Sequence, residues 1–236
     1  MEIMELTDSL SDVCGLADFN LERDKLIFTY GEDILIYPYA IVIGHKMNPE
    51  IIEKIPLTYS NDQYAQEYLN EYSDSFKRAS DNAEKIVKLI NEKGYEALIL
   101  DGSGTNPKLN LKRNFSNKAS ASIAGLGWIG KNAMLINEKY GPRLTWCTIL
   151  TNAPLSEYTG NYMDSLCGDC TYCVKACPGK AIIDNPNPQI SYDPEKCGAH
   201  LQHMATTGHL MACGMCLYIC PFGNEKTRKL MEEKSK

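Results

Sequence analysis

Long apolar runs are missing from this sequence of 236 residues. A helix that crosses a bilayer needs about 20 consecutive apolar residues, and no stretch of the chain approaches that length, which excludes a membrane-spanning helix. The first twelve residues, MEIMELTDSLSD, are acidic and lack the basic and then apolar order of a secretion signal. Together the two absences predict a soluble cytoplasmic protein without a membrane partner.

Acidic residues are absent from one segment of an otherwise acidic chain. The chain has 30 Asp and Glu against 24 Lys and Arg, a net charge of -6, which disfavours nonspecific binding to nucleic acid because phosphate affinity comes from basic side chains. Between Asp101 and Glu138, however, no acidic residue occurs, while Lys108, Lys118 and Lys131 do. This segment either faces an anion or is a solvated basic surface, and both interpretations stay open.

Disulfides are not expected either, although the chain has 10 cysteines. Without a secretion signal the thiols stay reduced, and clustered cysteines then indicate metal binding or catalysis. Cys14 and Cys147 stand alone and are expected to be small buried apolar residues. The other eight crowd into the last third of the chain: Cys167, Cys170, Cys173, Cys177, Cys197, Cys213, Cys216 and Cys220.

The spacing of these eight cysteines predicts two [4Fe–4S] clusters. The first run, C-x2-C-x2-C-x3-C-P from residue 167, is typical of two-cluster ferredoxins, in which the fourth cysteine binds the other cluster. A second run, C-x2-C-x3-C-P from residue 213, repeats its end. The crosswise rule predicts cluster 1 on Cys167, Cys170, Cys173 and Cys220. It predicts cluster 2 on Cys177, Cys197, Cys213 and Cys216.

Two other sets of metal ligands are less well supported by the sequence. A pair of four-cysteine zinc sites also uses C-x2-C pairs, but three cysteines at consecutive two-residue gaps and the doubled Cys-Pro ending favour iron and sulfur. His200, His203 and His209 lie among the ligands of cluster 2, and a histidine ligand is not needed where eight cysteines suffice.

The first 158 residues predict a mixed α+β domain. Residues 33–44 are rich in Ile, Tyr and Val and indicate a buried strand pair interrupted at Pro38. Apolar residues at three- and four-residue steps over 61–93 predict two helices that end at Gly94. Further predictions are a strand at 97–100, a helix at 116–124, and a strand pair at 133–136 and 144–150. Residues 159–224 are expected to form a small ferredoxin-like domain, and residues 225–236 a charged tail.

A glycine-rich turn follows the predicted helix at 116–124. Gly125-x4-Gly130-Lys131 comes within one residue of a phosphate-binding P-loop, but Asn132 stands where Ser or Thr binds magnesium. A P-loop follows a strand and opens a helix, and here a helix precedes and a strand follows. The turn therefore does not predict an NTPase, and it is either structural or a close approach to a large ligand.

The sequence resembles two related groups of enzymes. AGLGWIGKNAMLI at 124–136, followed by the double cysteine motif, resembles the epoxyqueuosine reductases, cobalamin-dependent enzymes of queuosine tRNA modification. YGPRLTWCTILTNAPL at 140–155 and AIVIGHKM at 40–47 are similar to the reductive dehalogenases. Together the matches span about residues 33–223.

The resemblance implies a cobalamin bound base-off over a nitroreductase-like α+β domain, with one cluster beside the corrin. It implies that the loop from Gly125 to Asn132 contacts the cobalamin; its residues are Gly125, Leu126, Gly127, Trp128, Ile129, Gly130, Lys131 and Asn132. Within EYS at 71–73, Tyr72 matches the candidate acid of the dehalogenases.

Three departures from these families bear on the activity. An Asp about a dozen residues before AGLGW serves the epoxyqueuosine reductases as proton donor, and the residues near that position here are Leu111, Lys112 and Arg113. Thr145 stands where dehalogenases have a basic residue. The sequence ends soon after the second Cys-Pro, without the helical-repeat tail that helps to hold tRNA, so a tRNA substrate is less expected.

Three functions follow. The leading one is a cobalamin-dependent iron–sulfur reductase that takes electrons from an external low-potential donor and reduces a small molecule. The second is an electron-transfer protein that reduces a partner such as a corrinoid protein; the missing acids favour it, but a mere carrier does not need 155 additional residues. The third is a minimal epoxyqueuosine reductase acting on tRNA, with Asp101 as the substitute acid.

Overall fold

The computed structural model describes residues 2–100, 104–187 and 190–224. Helices and strands mix along it, which confirms the predicted α+β class. Contacts divide the chain into unit 1, residues 1–45, 75–127 and 145–163, and unit 2, residues 46–74, 128–144 and 164–236. The predicted domain boundary at 158 stays a prediction, and the predicted tail lies outside the described residues. Among the helices described here, none is long and apolar enough to cross a bilayer.

Unit 1 is built on a four-stranded sheet. Its strands are β1 (Val13–Asp18), β2 (Tyr39–Lys46), β3 (Ala97–Ile99) and β6 (Leu144–Thr151), and they lie in the order β1-β2-β6-β3. β1 and β2 are antiparallel, as are β3 and β6. The helices are α1 (Ile3–Ser9), α2 (Arg23–Tyr30) and α5 (Asn117–Ile123), with 3-10 turns at Phe19–Glu22, Glu32–Leu35 and Ser156–Tyr158.

The long helix α4 (Asp62–Glu92) supplies one side of the core of unit 1. Its apolar residues recur at three- and four-residue steps, so they share one face. Ala79, Ala83, Ile86 and Ile90 pack there against one face of the sheet, formed by Leu16, Ile41, Ile43, Cys147 and Ile149. The prediction of helix over 61–93 is confirmed, but as one helix of 31 residues and not two.

Unit 2 combines a short hairpin with small helices. The hairpin strands are β4 (Trp128–Ile129) and β5 (Leu135–Ile136). The helices are α3 (Pro49–Ile52), the first turns of α4, α6 (Tyr172–Ala176), α7 (Pro194–Thr206) and α8 (Met215–Tyr218), with a 3-10 turn at Ile55–Tyr59. Its apolar core contains Met47, Ile52, Ile55, Ala65, Tyr68, Ala212 and Leu217.

Two strand predictions are wrong. Residues 133–136 do not pair with 144–150, because a tight turn at Gly130 and Ala133 folds the chain back so that β5 pairs with β4. Residues 32–35 form a 3-10 turn instead of a strand. Pro38 has no N–H to give to a ladder, and β2 begins just after it. The predicted strand at 97–100 and helix at 116–124 are confirmed, the helix with Ser116 as its N-cap.

Candidate metal centre

Four cysteines drawn from both motifs line one small cavity of unit 2. They are Cys167, Cys170, Cys173 and Cys220, here called the first cysteine group. The rest of the wall is Lys131, Asn132, Ile136, Pro221 and Phe222. Cys173 lies on the short helix α6, while Cys220 closely follows α8. The cavity thus brings together the four residues predicted for cluster 1, including the one from the distant motif.

The remaining four motif cysteines form the second cysteine group: Cys177, Cys197, Cys213 and Cys216. Cys177 is buried and packs with Cys197 and Cys216. Burial raises the pKa of Cys216, and negative charge on Cys213, Cys173, Cys177 and Cys197 adds to this rise. Because Cys173 is among these neighbours, the two groups adjoin. These are the four residues predicted for cluster 2.

Burial raises the pKa of four of these thiols, so they are difficult to ionise on their own: Cys173, Cys213, Cys216 and Cys220. Burial raises the pKa of Cys173 to about 11 and that of Cys220 to about 12. A metal binds the thiolate, and its positive charge offsets the cost of deprotonation. Iron would therefore supply the positive charge that stabilises these buried thiolates.

The arrangement of the sulfurs bears on the zinc alternative. Within the described ranges, no three Cys, His, Asp or Glu side chains converge closely enough to hold a single metal ion. The four residues of the first cysteine group instead line a cavity. A tetrahedral zinc site draws four sulfurs to about 2.3 Å from one ion, whereas a cube of iron and sulfide spreads its ligands. The donor set fits a cluster better than a zinc ion.

Hydrogen bonds to sulfur come from residues that the spacing of the cysteines does not reveal. Tyr59 Oη donates to Cys213 Sγ at 2.8 Å, and Trp128 Nε1 lies 3.4 Å from Cys167 Sγ. The Ala181 amide donates to Cys177 Sγ at 3.2 Å. Such bonds stabilise negative charge on a ligand sulfur, and they are one of the factors that set cluster potential.

Lys131, which is predicted to contact cobalamin, lies against the first cysteine group. Its Nζ donates to the carbonyl oxygens of Gly168 and Cys170 at 2.7 and 3.1 Å, and it lies 2.7 Å from Asp184 Oδ1. Burial lowers the pKa of Lys131, but the hydrogen bond and charge of Asp184 outweigh burial and hold that pKa above its usual value. The ammonium group thus fastens the loop between two ligand cysteines.

Two further residues hold the ligand segments in place. The buried Arg143 guanidinium donates to the carbonyl oxygens of Tyr218, Cys220 and Phe222. Asn132 Nδ2 donates to the carbonyl oxygen of Cys216 at 3.2 Å. The GPR segment through Arg143 and the GKN segment through Asn132 therefore hold the residues that carry the two cysteine groups, here called the cysteine module (residues 164–224), a role that their resemblance to known families did not indicate.

The glycines of the predicted cobalamin loop serve local packing. Gly125 has φ +70°, and a Cβ there would lie 2.2 Å from the carbonyl oxygen of Asn161. In unit 2, a Cβ on Gly130 would meet the Ile136 side chain at 2.8 Å. Both positions need glycine because the chain approaches itself closely. Contact of the loop with cobalamin stays a prediction.

Tyr72, the predicted acid, lies on the part of α4 that belongs to unit 2. Its side chain is 46% exposed, and burial of the remainder raises its pKa, so the phenol carries its proton at neutral pH. One turn earlier, Tyr68 packs against Gly214, between Cys213 and Cys216. The catalytic role of Tyr72 stays a prediction. Asp101, the substitute acid, lies outside the described residues.

The segment that carries the two cysteine groups matches a known domain model. Residues 166–223 match the 4Fe-4S double cluster binding domain. An epoxyqueuosine reductase of Lactococcus garvieae (strain Lg2) is 26% identical over 211 residues, which are 86% of this chain and 53% of that protein. The chain thus spans about half the length of this curated relative.

Two solved structures share the fold. A reductive dehalogenase whose structure suggests a mechanism for B12-dependent dehalogenation superposes with a TM-score of 0.70 at 20% identity, covering 98% of this chain and 33% of its own. An epoxyqueuosine reductase with an epoxyqueuosine-modified tRNA-Tyr stem loop gives 0.60 at 17% identity, covering 94% and 64%. The chain therefore carries a 4Fe-4S double cluster binding domain and resembles the epoxyqueuosine reductases in sequence and, in fold, both these and the reductive dehalogenases.

Proposed function

We propose that this chain is an iron–sulfur reductase that holds two [4Fe–4S] clusters and a cobalamin and transfers electrons from a low-potential donor to a small substrate. The observation that carries the proposal is the pair of cysteine groups, each assembled from both motifs within unit 2. The first group would hold cluster 1 and the second would hold cluster 2. Free thiols fit a reducing compartment, so a cytoplasmic location belongs to the proposal.

The clusters supply one-electron transfer, and the protein sets access and potential. Trp128 and Tyr59 donate to ligand sulfurs, while Lys131 and Arg143 fix the loops that carry the ligands. Burial of Cys177 and Cys220 keeps water from those positions. Because the two groups adjoin at Cys173 and Cys216, an electron would pass between them over a short distance.

Cobalamin enters the proposal through unit 1. When bound, it supplies a cobalt centre for two-electron reduction. Unit 1 leaves Ser120 Oγ, Thr148 Oγ1 and His45 Nε2 buried without a hydrogen-bond partner, and such groups in native proteins usually pair with water or a ligand. Cys147 and Ile149 face the apolar cluster between the sheet and α4. Thr148 lies between them in β6 and therefore faces the opposite side of the sheet. These polar atoms are where unit 1 would hold a polar cofactor.

Anaerobic reconstitution with iron, sulfide and cobalamin tests this function. We expect about eight irons per chain, retained cobalt after desalting and the visible spectrum of base-off cobalamin. Thr148→Val, which keeps the shape of the side chain but removes the hydroxyl, should lower the retained cobalt and leave the iron unchanged. Zinc in place of iron would refute the cluster assignment, and eight irons without cobalt would refute the cobalamin assignment.

The second candidate is an electron carrier that reduces a partner protein such as a corrinoid protein. The observation in its favour is that Trp128, Lys131 and Asn132, predicted to contact cobalamin, contact the cysteine module. Retention of iron without cobalt, together with reduction of an added corrinoid protein by the reduced chain, would select this function.

A third candidate is epoxyqueuosine reduction on tRNA. It is supported by the match to an epoxyqueuosine reductase along 86% of this chain. Incubation of the reconstituted, reduced protein with tRNA that carries epoxyqueuosine, followed by nucleoside analysis, tests it. If queuosine forms, Asp101→Asn should abolish the conversion, and an unchanged rate would remove Asp101 as the acid.

A further inference from the structure

Lys131 is a buried charge beside the first cysteine group. Its side chain is 5% exposed and lines the same cavity as Cys167, Cys170, Cys173 and Cys220. A buried ammonium group is stable only when it is paired and hydrogen-bonded. The three protons of Nζ find three acceptors, namely two loop carbonyl oxygens and Asp184. The side chain is therefore held in a single position.

The Lys131–Asp184 pair is asymmetric toward solvent. The Asp184 side chain is 56% exposed, whereas the Lys131 side chain is 5% exposed. Water screens the carboxylate more strongly than the ammonium group, because Coulomb interactions weaken in high dielectric. The pair therefore presents net positive charge to the cavity. The ammonium group lies within electrostatic range of Cys167 and Cys170, whereas the carboxylate is largely exposed to water.

We propose that Lys131 is a positioning residue that raises the reduction potential of the cluster held by the first cysteine group. This inference rests on the proposed function, because it requires that cluster. The couple takes up one electron from the reductant and no covalent bond forms or breaks. The reduced cluster carries one more negative charge, so a fixed positive charge beside it stabilises the reduced form more than the oxidised form.

Asp184 provides a matched variant with the opposite expectation. Lys131→Met removes the positive charge and should shift one of the two cluster potentials to a more negative value. Asp184→Asn keeps the ammonium group and removes the opposing charge, so it should shift the same potential to a more positive value. Both variants break the ion pair. A merely structural role would therefore move the potential in the same direction in both.

The measurement is an anaerobic titration of the reconstituted protein with dithionite, followed by electron paramagnetic resonance at each potential. Tyr59→Phe removes the hydrogen bond to Cys213 of the second cysteine group and identifies the other redox step. The iron content is measured first. Wild-type protein with fewer than two clusters would refute the proposed function, and this inference with it.

If the wild-type protein holds two clusters, the two variants test only the effect of Lys131 on the reduction potential. Shifts of opposite sign in the step that Tyr59→Phe leaves in place support the inference. Unchanged potentials, shifts of one sign, or shifts in the step marked by Tyr59→Phe overturn it. If Lys131→Met loses iron, the inference is judged from Asp184→Asn alone, because this variant retains the ammonium group. A potential that does not rise in Asp184→Asn then overturns the inference.

Discussion

Single side chains give the two cysteine groups different surroundings. The first group has an indole N–H at Cys167, and the second has a phenol O–H at Cys213 and the Ala181 amide at Cys177. Each donor stabilises sulfur-borne charge. The Trp128 ring also packs edge-on against Phe222, with ring centroids 4.8 Å apart, so its N–H is held in place.

Trp128→Phe should lower the potential of one cluster. The substitution keeps an aromatic ring against Phe222 but removes the N–H that faces Cys167. A hydrogen bond worth about 1 kcal/mol corresponds to about 40 mV for a one-electron couple, so we expect a fall of that order in a redox titration. Trp146→Phe, in unit 1, is the control and should leave both potentials unchanged. A fall in neither potential for Trp128→Phe would contradict this account of the sulfur contacts.

His45 makes the stability of the chain depend on pH. It is 7% exposed, and its Nε2 has no partner. Burial lowers the pKa of His45, the charge of Asp12 opposes this, and Arg78 lowers it further. The unfolded chain has its histidine pKa near 6.5 and therefore binds more protons than the folded chain below that pH. The contribution of His45 to stability is therefore fully present above about pH 6.5 and is lost as the pH falls below that value.

His45→Gln should remove this slope. In urea unfolding of the reconstituted protein between about pH 7.5 and 5.5, the wild type should lose stability on the acid side, and the variant should lose less. His203→Gln, at an exposed histidine of α7, is the control and should behave as the wild type does. Equal slopes in wild type and His45→Gln would show that another group titrates.

The residues of the candidate centre were predictable from the sequence only in part. The spacing of the cysteines and the Cys-Pro endings indicated all eight positions, because cluster ligation imposes a local pattern. The donors to sulfur follow no such pattern: Tyr59 and Cys213 are 154 positions apart. Lys131 was singled out, but for an anionic cofactor, since the sequence does not reveal that Asp184 and two carbonyl oxygens surround it.

Some turns between elements need glycine because a Cβ atom would overlap a neighbouring backbone atom. Gly125 follows α5, and Gly94 follows α4. Both have positive φ, of +70° and +85°, but a Cβ at Gly125 would lie 2.2 Å from the carbonyl oxygen of Asn161, whereas a Cβ at Gly94 would meet nothing within 4 Å. A substitution at Gly94 therefore introduces backbone strain alone, whereas one at Gly125 introduces backbone strain and steric overlap.

Gly125→Ala should therefore destabilise the protein much more than Gly94→Ala. The left-handed conformation costs an alanine about 1 kcal/mol at either site, and overpacking against a backbone atom adds about 1–3 kcal/mol. We expect a loss of about 3 kcal/mol for Gly125→Ala and about 1 kcal/mol for Gly94→Ala, measured by urea unfolding. Similar losses in the two variants would show that the approach to Asn161 does not govern this turn.

Periodicity predicted the elements better than it predicted their partners. The apolar steps of 61–93 indicated α4 because a helix face repeats locally. They did not reveal that the helix runs without a break. The strand at 144–150 was predicted, but not its place between β2 and β3, nor that β5 pairs with β4. Pairing depends on contacts between distant segments, which alternation alone does not encode.

Unit 1 and the cysteine module of unit 2 differ in how many apolar residues they bury. Unit 1 has a large apolar core, whereas few apolar residues are buried beside the cysteines. Among the described residues, twelve buried residues form one apolar cluster of unit 1, whereas Cys177, Ala181 and Ile182 are the buried residues of the apolar cluster beside the second cysteine group. Segments with little apolar burial rely on their metal for stability. The clusters are therefore expected to hold residues 164–224 in their fold.

Removal of iron should loosen that segment selectively. In limited proteolysis, the chelated protein should be cut within residues 164–224 much faster than the reconstituted protein, with fragments identified by mass spectrometry. Sites within unit 1 should resist in both forms. Equal rates of cleavage with and without iron would contradict a stabilising role for the clusters.

Crosswise ligation of two clusters can be tested by the iron content of multiple cysteine variants. Cys167→Ser with Cys170→Ser should remove cluster 1 and leave about four irons. Adding Cys220→Ser should then change little, because Cys220 belongs to the cluster already lost. Adding Cys177→Ser should instead reduce the iron well below four. If Cys177→Ser is harmless in this background and Cys220→Ser removes the remaining iron, each motif builds its own cluster and ligation is not crosswise.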